Sequence, residues 1–141
     1  MKKLLAVLSV ACCATIAWAA ENTDSLKEGE PVAAFYVTDV TGPSAGEKLC
    51  YRCKYGSRPV VSIFAKQMNE KVAAAQQIKN TPLTTFDGLA GPSEYKISKD
   101  ADITVMMWVD SKVKVNEALK AKDLTDAKIS SLTEKTKLIL N

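Results

Sequence analysis

Two cysteines three residues apart, Cys50 and Cys53 in KLCYRCKYG, carry the reactive chemistry of this chain, which contains no histidine. A C-x-x-C spacing suits three chemistries. The two sulfurs can form a disulfide that exchanges with other thiols, one cysteine attacking and the other resolving the mixed disulfide. They can form a local covalent staple instead, worth roughly 2 kcal/mol at most by loop-closure entropy for so short a loop. They can also hold a metal. Zinc wants four ligands, and two thiolates without histidine fall short of that. A two-thiolate Cu(I) site would need soft partners such as Met68, Met106 or Met107. Between Lys48 and Asn69 stand five cations, Lys48, Arg52, Lys54, Arg58 and Lys66, and no acid. Positive charge beside a thiol favours the thiolate, and Arg52, between the two sulfurs, is placed best for that role. Tyr51 and Tyr55 can cover one side of the segment. Without histidine there is no Ser/His/Asp arrangement, and no Gly-rich phosphate loop is present, so no cofactor is expected.

The elements that must position the pair follow from hydropathy and turn signals. PVAAFYVTDV, from Pro31, is β-prone, with Phe35, Val37 and Val40 as its inward candidates, and TGPSAG turns the chain. The cysteine segment follows as a connection. RPVVSIFAK is a nearly continuous apolar run, which reads as a strand over Pro59 to Ala65 buried on both faces. QMNEKVAAAQQIKN has helical spacing at Met68, Val72, Ala75 and Ile78, and Asn80-Thr81-Pro82 ends it. A short strand is expected from Leu83 to Phe86. ITVMMWV, Ile103 to Val109, is the most apolar run of this part of the chain and should be the central strand, with Trp108 in the core. Asp110-Ser111-Lys112 makes a tight hairpin turn into VKVN. A final helix is expected from an N-cap at Thr125 to Leu140, with Ile129, Leu132, Thr136 and Ile139 on one face.

The N-terminus reads differently. MKKLLAVLSVACCATIAWAA has two lysines, an apolar stretch and small residues at its end, the three-part pattern of a secretory signal peptide over residues 1–20. Cleavage would leave 17 basic against 16 acidic residues, since Lys2 and Lys3 go with the leader. Such a near-neutral chain gives no footing for nucleic-acid binding, and no stable membrane span is expected after cleavage. Export, to a periplasm or the exterior, also means a compartment in which a disulfide persists. Residues 21–30 read as a polar leader and 31–141 as one domain, an α/β unit with a mixed sheet flanked by helices.

In that layout GEPVAAFYVTDVTGP, RPVVSIFA and NTPLTTFDGLAGPSEYKISKDADITVMMWVDSKVKVNEAL, in this order, resemble the thioredoxin-like superfamily, in its redoxin or peroxiredoxin-related branch. The resemblance implies a thioredoxin-like fold, thiol–disulfide chemistry at Cys50 and Cys53, and a thiol or disulfide partner protein. Three departures accompany it. The family's catalytic cysteine lies just after the first core strand, where AKQMNEK, Ala65 to Lys71, has none. The proline usually found before the hairpin's first strand is replaced by Asp102. The middle segment, Lys66 to Asn80, has room for one helix only, so the sheet is expected to be truncated or completed by a partner chain. The alternative is a non-catalytic binding or scaffold domain in which Cys50–Cys53 is a structural disulfide.

Overall fold

The computed structural model describes residues 25–67, 81–88 and 90–140. The signal peptide expected over residues 1–20, the start of the polar leader and the helix expected around Met68 lie outside the described residues.

ITVMMWV forms β5 (Ile103–Val109) at the centre of a three-stranded sheet, between β3 (Val60–Ala65) and β6 (Lys112–Leu119). Apart from Thr104, its residues alternate between two cores, which is why the run is apolar on both faces. Met106 and Trp108 enter one core with Leu26, Val32, Tyr95 and Val113, and Phe35, Val60 and Phe64 pack against it. Val105 and Met107 enter the other with Val115, Leu119, Leu132 and Ile139.

The β5–β6 hairpin turns on Asp110 and Ser111, both at positive φ (53° and 58°), the backbone of the two-residue turn whose twist suits paired strands. Just past it the register slips: Trp108 faces Val113, but Met107 faces Val115. The extra residue, Lys114, is a bulge, and it sends Val113 and Val115 into different cores although they are only two apart.

A second sheet joins β1 (Val37–Asp39) to β2 (Lys48–Leu49) and to β4 (Thr84–Thr85). All pairings among the described strands are antiparallel. The chain thus has α/β content in two small antiparallel sheets, where one mixed sheet was expected. A parallel neighbour needs a crossover of a dozen or more residues, whereas β1–β2 and β5–β6 are joined by short turns.

The strand at RPVVSIFAK lies where expected but is not buried on both faces. Among the described residues β3 has β5 as its one neighbour, and Val61 and Ile63 are 44% and 62% exposed. Val60 and Phe64 face the Trp108 core; Val61 and Ile63 face the side where the terminal helices cover β5 and β6. Leu26, in the stretch read as leader, is buried, and the segment after it bonds along β6 through Gly29 N to Val113 O and Val32 N to Ser111 O.

The C-terminal helix begins where expected, with Thr125 Oγ1 accepting from Lys128 N as N-cap. It is two pieces, α2 (Asp126–Lys135) and α3 (Lys137–Leu140), divided at Thr136, whose hydroxyl donates to Thr133 O. Leu132 and Ile139 of the expected face are buried, while Ile129 is exposed.

Candidate functional site

KLCYRCKYG is more ordered than a connection. After β2 the chain enters a single helical turn (Tyr51–Tyr55), with Cys50 as its extended N-cap. The label α1 is given to that turn. Lys54 N donates to Cys50 O at 2.9 Å and Cys53 N to Cys50 Sγ at 3.1 Å. The helical turn brings residues i and i+3 onto one side, and the two sulfurs are bonded there, with Cα atoms 5.2 Å apart. Gly56 ends the turn at φ 59° and ψ −119°, its N–H donating to Arg52 O; a side chain would be strained in that backbone.

Three contacts fix the turn to the rest of the molecule. Tyr51 Oη donates to Asp39 Oδ2 of β1 at 2.6 Å. Asp110 N, at the hairpin tip, donates to Ser57 O at 3.0 Å. Ser111 Oγ reaches Gly56 O at 3.4 Å, a weak bond at that length. Asp39 is 1% exposed, and its other oxygen, Oδ1, has no partner among the described residues. Burial and then the Asp39 hydrogen bond and charge push the Tyr51 hydroxyl well above its ordinary pKa, so it stays a donor.

The two cysteines differ in exposure. Cys50 is 7% exposed, while Cys53 lies on the surface. Of the five cations, Arg52 and Lys54 belong to the turn and Arg58 follows it. Lys54 Nζ lies 5.5 Å from the Tyr51 ring centre and the Arg58 guanidinium 5.9 Å from that of Tyr55, over a stacked pair of rings 5.6 Å apart. Arg52 buries its Nε, which has no partner among the described residues. Its charge is felt at Tyr95, whose pKa is nonetheless raised, chiefly by burial, and no hydrogen bond joins Arg52 to either sulfur. The other two cations are engaged elsewhere. Lys48 pairs with Asp87 at 3.1 Å, and Lys66, past the far end of β3, donates to Lys99 O.

Sequence reasoning missed Asp39 and Asp87, which the sheet brings to the turn from 12 and 39 positions away. Nothing in a local window signals such contacts. It also missed the hairpin tip as a support, although the turn residues themselves were legible. Met106 and Met107 are core residues, 0% and 2% exposed, as expected of the central strand, and Met68 lies outside the described residues. Among the described residues no group of three or more His, Cys, Asp or Glu could hold a metal, and no helix is long and apolar enough to cross a membrane. Asp102 accepts from Ala121 N at 3.0 Å.

A groove of about 700 Å³ lies on the other side of the main sheet, lined by Val61, Ile63, Val105, Met107 and Leu132 among others. It takes no residue from the cysteine turn, so it is not the disulfide's own cleft. Comparison of the chain with protein-family models, with curated proteins and with solved structures returns no match.

Proposed function

We propose that the chain is an exported thiol–disulfide exchange protein on a thioredoxin-like core, working through Cys50 and Cys53. The observation that carries the reading is a disulfide closed across one helical turn, with Cys53 an exposed residue. A core strand, an apolar central strand, a hairpin and a terminal helix, in that order, support the fold assignment.

The exchange balances without a cofactor. A partner thiolate attacks one sulfur, the Cys50–Cys53 bond breaks, and the other cysteine leaves as thiolate. The partner's second thiolate then attacks its own sulfur in the mixed disulfide and releases the protein. Two electrons pass to the protein, which ends as a dithiol, and the partner ends with a disulfide. Arg52, Lys54 and Arg58 supply the positive surroundings that favour thiolates in the reduced form. Export through residues 1–20 places the pair where an oxidised state persists.

The second reading, a scaffold with a structural bond, is favoured by the burial of Cys50 and by the three contacts that already hold the turn. The equilibrium reduction potential against glutathione separates them. Exchange expects about −120 to −270 mV, and a value well below about −300 mV overturns it in favour of the structural bond.

A further inference from the structure

We propose that Cys53 is the sulfur through which exchange proceeds: partner thiols attack it in the oxidised protein, and it attacks partner disulfides in the reduced one. Cys50 is the leaving and resolving sulfur. This rests on the exchange reading above.

Access is the first reason. Thiol–disulfide exchange needs the incoming sulfur to approach the attacked sulfur from the side away from the bond being broken. Cys53 lies on the surface, whereas Cys50, at the junction of β2 and α1, is 7% exposed. A macromolecular partner reaches the first and is kept from the second.

The hydrogen bonding of the turn is the second reason. Cys53 N donates to Cys50 Sγ at 3.1 Å. When the bond breaks and Cys50 departs with the electron pair, this donor faces a thiolate and the hydrogen bond becomes charge-assisted. A better-stabilised thiolate is a better leaving group, so this bond favours Cys50 as the sulfur that departs when Cys53 is attacked.

The step balances. The partner thiolate forms a bond to Cys53 Sγ, the Cys50–Cys53 bond breaks, and Cys50 takes a proton from solvent. In the second half the partner's other thiol, after giving its proton to solvent, attacks the partner sulfur, and Cys53 leaves as thiolate. In the reverse direction the Cys53 thiolate attacks a partner disulfide and the Cys50 thiolate resolves the product.

The test uses the reduced full-length chain treated with sub-stoichiometric iodoacetamide. Cleavage at lysine and arginine then puts Cys50 (residues 49–52) and Cys53 (residues 53–54) on separate peptides, both free of Cys12 and Cys13, so mass spectrometry counts each carbamidomethyl group by itself. Cys53 should be modified at least about tenfold faster than Cys50. Equal rates, or faster modification of Cys50, overturn the assignment. A second arm mixes the Cys50→Ser and Cys53→Ser variants, each also carrying Cys12→Ser and Cys13→Ser, with glutathione disulfide. The variant that keeps Cys53 should form the mixed disulfide at least about tenfold faster, and the opposite order overturns the proposal. The alkylation order is read on the wild-type dithiol whatever its potential. A potential well below about −300 mV with Cys53 alkylated first would therefore sink the exchange reading alone. A potential in the exchange range with Cys50 alkylated first would sink this assignment alone.

Discussion

Tyr51 occupies the first position between the two cysteines, and its hydroxyl is the partner of a carboxylate that is otherwise without one. Asp39 is buried, and Oδ1 has no partner among the described residues, so the bond from Tyr51 to Oδ2 is what offsets its desolvation. Removing one side of such a pair leaves the full cost of the other. Tyr51→Phe should lose about 1–3 kcal/mol in urea denaturation, and Asp39→Val combined with it should recover part of the loss. An unchanged midpoint in Tyr51→Phe would mean that the bond does not hold the turn. The shifted hydroxyls of Tyr51 and Tyr95 also set an alkaline limit. Both have pKa values raised above the ordinary 10.0. They therefore contribute stability that is whole below pH 10 and is lost as pH climbs past it, because the unfolded tyrosines ionise first. The denaturation midpoint should fall above pH 10, and less steeply in Tyr51→Phe. At this scale the cysteines, Arg52 and the tyrosine pair were legible in the sequence. The partner of Tyr51 was not, because a strand register decides which distant carboxylate lies under a tyrosine.

Among the elements, the terminal helix and β6 are joined by one acid and two bases. Lys128 and Lys135 of α2 both donate to Glu117 of β6. Burial pushes the Glu117 carboxyl up, but the two hydrogen bonds and the two charges more than offset it and hold its pKa below the ordinary 4.5. A depressed carboxyl contributes stability that is present above that ordinary value and is lost as pH falls through the folded one. The wild-type midpoint should therefore drop below pH 4.5, and Glu117→Gln should flatten that dependence while costing about 1 kcal/mol near neutrality. An acid profile that Glu117→Gln leaves unaltered would remove the latch from the account. The central strand, its hairpin turn and the Thr125 cap were readable because each has a local signal: an apolar run, a two-residue turn, a capping hydroxyl. The bulge at Lys114 was not. Alternation in VKVN puts both valines on one face, and only the ladder with β5 separates them. The break at Thr136 likewise has no strong residue signal.

In the molecule as a whole, one sheet serves two cores, and the cysteine turn hangs between the second sheet and the hairpin tip. The α/β content was legible from the order of strand and helix signals. The division into two sheets was not, since Thr38 meets Thr85 across a long stretch of chain that no period describes. The exposed side of β3 has a consequence for behaviour in concentrated solution. VVSIFA is a six-residue run of high β propensity with no charge and no proline, lying at a sheet edge. Such a segment templates self-assembly by edge-to-edge stacking. Arg58-Pro59 before it and Lys66 after it stand where gatekeeper residues break up that stacking. Ile63→Lys, at an exposed position, should lengthen the lag of thioflavin-T-positive aggregation by about tenfold with little change in the urea midpoint, and Lys66→Ala should shorten it. Lag times that ignore both substitutions would place the aggregating segment elsewhere. Arg58 then serves twice, covering the Tyr55 ring of the cysteine turn and keeping the neighbouring strand from recruiting its own copies.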